Sequence, residues 1–142
     1  MTGRRILVGV DGSDNSIAAV RWAGDLASAL GAEVVAVHVL GLLDRLEPGG
    51  EAVPVESHLA EIRALFETHW CAPLSGAKFR TELRYGSPVA VLIDTANEVD
   101  ADLIVVGSRG LGGFAELLLG STSSQVAQHS GRAVLIVPPP VT

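Results

Sequence analysis

The chain has 142 residues, 48% of them hydrophobic and 18% charged, and its 16 acidic against 10 basic side chains leave a net charge of −6. That is one domain's worth of sequence with apolar material enough for a core. The basic residues are scattered in ones and twos, which argues against a nucleic-acid partner, and no apolar run nears the roughly 18 residues that span a bilayer.

The chain opens on "MTGRRILVGVDGS", whose apolar stretch before Asp11 is too short for a secretory leader. The single cysteine, Cys71, cannot form an internal disulfide, in keeping with a reducing compartment. The expected location is the cytoplasm. Residues 4–10, "RRILVGV", read as a strand filled on both faces. It ends at the turn formers Asp11, Gly12 and Ser13, and Ser13 or Asp14 is placed to cap a helix. In that helix Ile17, Val20, Leu26, Ala27 and Leu30 keep a helical period, and Gly31 supplies the stop.

Residues 33–39, "EVVAVHV", read as a second strand covered on both faces, followed by a long irregular stretch over 40–54. A helix is predicted over 56–70, with Leu59, Ile62, Leu65 and Phe66 on its apolar side. Strand 78–84, "KFRTELR", alternates apolar and charged residues and so belongs nearer an edge. A helix starts near Pro88, with Val89, Leu92, Ile93 and Ala96 facing in. Residues 101–107, "ADLIVVG", read as a central strand, 121–129 as the last helix, and 132–138 as a final strand closed by prolines.

Strands and helices in strict alternation imply an α/β three-layer sandwich around a five-stranded parallel sheet, here as a single domain over 1–142. Ligands of such sheets lie beyond the carboxyl ends of the strands, where strand order reverses. The loops after Val10, Val39 and Val106 are therefore the informative ones.

After Val106 comes a glycine-rich passage. Gly107 ends the strand, Gly110 follows after two residues, and Gly120 follows after nine more, just before Ser121, Thr122 and Ser123. Glycines let backbone N–H groups approach a phosphate, and a helix starting near Gly120 offers unpaired N–H groups and the positive end of its dipole. Phe114, Leu117, Leu118 and Leu119 would anchor the excursion between them. The same residues also suit a turn and a helix start with no ligand, and the spacing alone leaves both readings open.

The passage "GSRGLGGFAELLLGS", residues 107–121, resembles the nucleotide motif of the ATP-binding branch of the universal stress protein family: glycine, two residues, glycine, nine residues, glycine, then serine or threonine. The likeness extends to "ILVGVDGSDNS", "ADLIVVGSRG" and "STSSQVAQHSGRAVLIVP" and so covers essentially the whole chain. The resemblance implies the adenine nucleotide alpha hydrolase-like, Rossmann-like fold. It also implies ATP with Mg2+, or AMP or another adenine nucleotide, as ligand.

By that resemblance Gly9, Val10 and Asp11 lie near the adenosine, with Asp11 also the candidate for the magnesium of a Mg-nucleotide. The backbone of Val37, His38 and Val39 meets the adenine edge. The phosphates fall to Gly107, Ser108, Arg109, Gly110, Gly112, Gly113, Gly120, Ser121, Thr122 and Ser123. Thr122 stands where family members more usually carry valine. The resemblance further implies a regulatory role in stress adaptation, a homodimer through the last strand, and a regulatory protein partner.

Other chemistry is poorly served. A carboxylate such as Asp11 also marks phosphoacceptor receiver domains, but the further acids and the lysine they need are missing after the later strands. A hydrolase-type phosphate loop requires a lysine, and residues 105–123 hold none; Lys78 is the only one in the chain. Asp11, Asp14 or Glu116 could hold magnesium or a water, so weak ATP hydrolysis stays open beside a role that is not primarily enzymatic. His38, His58, His69 and His129 lack metal-ligand spacing, and Trp22 and Trp70 read as packing residues. The alternative is an interaction module of the same fold that needs no nucleotide.

Overall fold

A computed structural model of the protein describes residues 3–40, 55–109 and 120–140. In chain order the elements are β1 (Arg5–Gly9), α1 (Asp14–Leu30), β2 (Glu33–Leu40), α2 (Val55–Leu65), β3 (Phe79–Tyr85), α3 (Pro88–Val99), β4 (Leu103–Gly107), α4 (Ser121–His129) and β5 (Ala133–Val137). A π-helical turn at Phe66–Trp70 and a 3-10 turn at Ala72–Leu74 follow α2. The sheet order is β3-β2-β1-β4-β5, and every neighbouring pair is parallel.

Alternation along the strands builds a core on each side of the sheet. Ile6, Val8, Val34, Ala36 and Val105 face α1 and the buried Phe66, Cys71 and Leu74. Leu7, Val35, Val37, Ile104 and Val106 face α3 and α4 through Leu92, Ala96, Val99 and Val126. This is the three-layer α/β architecture expected from the alternation of elements. The 78–84 strand lies at an edge, as its charges predict, and the 101–107 strand lies inside, between β1 and β5.

Helix α1 begins where expected: Ser13 is its N-cap, its hydroxyl accepting from the Ser16 N–H, and Gly31 ends it in the left-handed region at φ 66°. Its buried face differs from the periodic reading. Small residues, Ala19, Ala23, Gly24 and Ala27, take the sheet side with Val20, and Gly24 lets Leu74 and the Pro73 carbonyl approach closely. With the backbone held so near the sheet, Trp22 is turned outward and is 53% exposed, which corrects its reading as a packing residue. Leu30 is also exposed.

The helix expected over 56–70 is regular only to Leu65. Beyond it the Cys71 N–H donates to the Phe66 carbonyl at 3.1 Å, a five-residue step that widens the last turn. Phe66 is fully buried while its neighbour Leu65 is 48% exposed, since consecutive helical residues cannot share one face.

Candidate functional site

The chain passes from β1 through α1 to β2 on one flank of β1, whereas β4 pairs with the other flank. Strand order therefore reverses between the carboxyl ends of β1 and β4, the point at which open α/β sheets generally take their ligands.

At the end of β1, the Val10 N–H donates to the Val37 carbonyl at 2.8 Å. The Val10 carbonyl lies 2.7 Å from His38 Nδ1, which must carry the proton because a carbonyl only accepts. His38 is buried, with its ring 5.1 Å from Trp70 and 5.9 Å from Phe66. Its side chain thus works inside the protein, and its backbone faces β3, on the side where the Val34 N–H and the Leu40 carbonyl are bonded, so the adenine-edge contact expected of it falls to Val39 alone. Gly9 answers to packing as well: a Cβ there would stand 3.3 Å from the Leu92 methyls. Parallel-strand alternation turns the backbone groups of Val39 to the same side as the Val37 carbonyl, past the end of β1 at Gly9.

Asp11 organises the turn. Its Oδ1 accepts from the Ser13 N–H at 2.9 Å and from the Ser13 hydroxyl at 2.6 Å, while its own N–H donates to Ser16 Oγ at 3.2 Å. Gly12 follows at φ 85°, and the Trp70 ring lies so close that a Cβ on Gly12 would meet it at 2.6 Å.

At the end of β4, an unforeseen residue takes over. Asn15, in the first turn of α1 and buried, accepts from the Arg109 N–H at 2.7 Å and from Ser108 Oγ at 3.3 Å, and donates from Nδ2 to the Val137 carbonyl at 2.8 Å. The same Val137 carbonyl accepts the Ser108 N–H. The far end of the glycine passage returns to this point, since Gly120 N–H donates to the Ser108 carbonyl. A Cβ on Gly120 would stand 3.1 Å from that oxygen, so glycine permits the close return.

Residues Gly110, Gly112 and Gly113 lie outside the described residues, as do Glu116 and the apolar anchors of the passage. Ser121 is exposed at the start of α4, and Thr122 is half-buried behind it. Ser123 departs from the expectation of a phosphate donor: it is buried, and its hydroxyl is engaged with the Ser108 and Gly120 carbonyls at 3.1 Å each. Helix α4 has Gly120 as N-cap and no side-chain cap, leaving the N–H groups of its first turn directed beyond the helix end.

The structure thus gathers Gly9–Asp11, Gly107–Arg109 and Gly120–Ser123 at the carboxyl ends of β1 and β4, with Val37–Val39 beside the end of β1. Asn15 could be suspected only from its place in "DGSDNS", where an asparagine reads as one more turn former. Among the described residues no group of three His, Cys, Asp or Glu converges to hold a metal. Burial, with Glu67 adding to it, pushes the Cys71 thiol up to about 12, which keeps it protonated and a poor nucleophile at neutral pH. No helix among the described residues is long and apolar enough to cross a membrane.

Residues 3–138 match the model of the universal stress protein family. The chain is 35% identical to the universal stress protein YxiE of Bacillus subtilis, over 94% of this chain and 97% of that one. It is 34% identical to a universal stress protein of Mycolicibacterium smegmatis, over 93% of this chain but 47% of the relative, so it spans about half the length of that protein. Among solved structures it is similar to a universal stress protein in complex with cAMP, at 31% identity and a TM-score of 0.68, covering 99% of this chain and all of the other.

Proposed function

The chain belongs to the universal stress protein family, and from that premise we propose that it is an adenine-nucleotide-binding regulatory protein of stress adaptation whose ligand is ATP carried with Mg2+. One observation carries the reading: the two ends of the glycine passage meet at Ser108, and they do so at the strand-order reversal, under an uncapped helix start at Ser121. The cAMP complex of a relative supports an adenine ligand.

The residues fit such a ligand in three ways. The first-turn N–H groups of α4 and the Ser121 hydroxyl supply donors for phosphoryl oxygens. The Val39 backbone, past the end of β1, offers a donor and an acceptor to an adenine edge. Mg2+ would ride mainly on the phosphates, as it commonly does, with Asp11 as the nearby carboxylate and its Oδ1 already engaged by Ser13. ATP supplies a polyanion whose binding shifts the stability of the folded domain by mass action, which is enough to carry a signal without turnover.

The experiment is calorimetric titration of nucleotide-stripped protein with ATP and Mg2+, beside Gly110→Ala. Saturable binding by the native protein, greatly weakened by the substitution, is expected. No heat and no protection against unfolding at millimolar ATP would overturn the reading.

A second reading has its own observation. The N–H groups of Ser108, Arg109 and Gly120 are all spent on internal acceptors, which suits a passage closed on itself and an interaction module that needs no nucleotide. The same titration separates the two.

A further inference from the structure

The nucleotide reading treats Gly107 as a glycine because a phosphate must approach. Its surroundings say otherwise. A Cβ on Gly107 would stand 2.9 Å from Asn15 Cγ and 3.1 Å from each of the two polar atoms of the carboxamide. The amide of Asn15 therefore lies flat against the Gly107 Cα, and the space that a side chain would fill is occupied by the protein itself.

Asn15 is committed at both ends. Its oxygen holds the Arg109 N–H and the Ser108 hydroxyl, and its nitrogen holds the Val137 carbonyl, 122 residues away in sequence. These bonds bind the first turn of α1 to the exits of both β4 and β5. They also fix the direction in which the backbone leaves β4 toward the glycine passage, and they turn the Arg109 N–H inward, away from any ligand, as the Val137 carbonyl does the Ser108 N–H.

We propose that Asn15 is a positioning residue of the nucleotide site, and that position 107 is glycine to admit the Asn15 carboxamide rather than a phosphate. The binding half of this proposal rests on the nucleotide reading above; the packing half does not. Asn15 touches no ligand in this account. It sets the geometry of the phosphate side of the crevice and leaves the adenosine side, built from β1 and β2, unchanged.

A double-mutant cycle tests both halves. Native protein, Asn15→Ala, Gly107→Ala and the double variant are titrated with ATP and with adenosine, and their unfolding midpoints are measured without nucleotide. Each single change is expected to weaken ATP about tenfold, and the double variant also about tenfold, because both remove the same contact. Adenosine, which lacks phosphates, should move less than about threefold. The unfolding midpoints should be non-additive in the same sense.

Losses of ATP affinity that multiply to about a hundredfold would return Gly107 to the phosphate and overturn the proposal. A fall in adenosine affinity equal to that of ATP would make Asn15 a general structural residue and overturn it too. If the native protein binds neither probe, the nucleotide reading fails and with it the positioning role. The packing half is then decided by the midpoints, where additivity overturns it and non-additivity upholds it. Should Asn15→Ala not fold, Asn15→Ser, which also vacates the space beside Gly107, takes its place in the cycle.

Discussion

Gly12 sits at φ 85° with the Trp70 ring against it, so any side chain there meets both a backbone penalty and a collision at 2.6 Å. Gly12→Ala is expected to destabilise the protein by about 2 kcal/mol or more, read from urea unfolding midpoints. Cys71 gives a pH-dependent counterpart. Its thiol is raised from 9.0 to about 12 by burial and then by Glu67, so the folded state prefers the protonated form. The stability it contributes is full below pH 9.0 and is lost as pH climbs toward 12. Cys71→Ala should therefore show a flatter loss of stability over that window than the native protein, and native Cys71 should resist alkylation at neutral pH while the unfolded chain reacts. The residue-scale features legible in the sequence were those with local causes: Ser13 as cap, Gly31 as stop, Asp11 and Gly12 as turn. Asn15 was not legible because all of its partners, Ser108, Arg109 and Val137, are distant in the chain.

At the level of elements, α3 and β5 are joined by one side chain. Arg132 donates to the Ala101 carbonyl at 2.6 Å and to Asn97 Oδ1 at 3.2 Å, and pairs with Asp100, which ends α3 in the left-handed region at φ 52°. Arg132→Ala is expected to cost about 1 kcal/mol and to speed hydrogen exchange in the last turn of α3 more than elsewhere. Strand and helix order was readable from periodicity, because parallel strands buried on both faces are nearly continuous in β-branched residues. Helix orientation was less so. In α1 the small residues pack, and the larger Trp22 and Leu30 point out, the reverse of what size and hydrophobicity suggest. The π-helical turn at Phe66–Trp70 could not be foreseen either, since its widening is set by where Phe66 and Trp70 must reach the ring of His38.

Across the whole molecule, the sheet ends at β5, a short strand of apolar residues. The Val137 carbonyl points to β4, where it accepts the Ser108 N–H, so alternation turns the N–H and C=O groups of Val134 and Ile136 to the free edge. Among the described residues nothing pairs with this apolar edge, and we propose that a second copy covers it. Sedimentation should show a homodimer for the native protein and a monomer for Val134→Pro, which removes one outward N–H without touching the bonds to β4; a native monomer would refute the seam. The reversal of strand order was legible at this scale, because the alternation of elements already implied a parallel sheet whose order turns at the carboxyl ends of β1 and β4.

The two tryptophans stand in opposite circumstances: Trp22 is open to solvent on the outer side of α1, and Trp70 is packed between His38, Phe66 and the turn at Gly12. Emission from the first is expected to be quenched by iodide and shifted to the red, and emission from the half-buried second to be quenched less and bluer. The fluorescence left in iodide would then come chiefly from an indole that borders the turn carrying Asp11, an optical reporter of that turn without any added label.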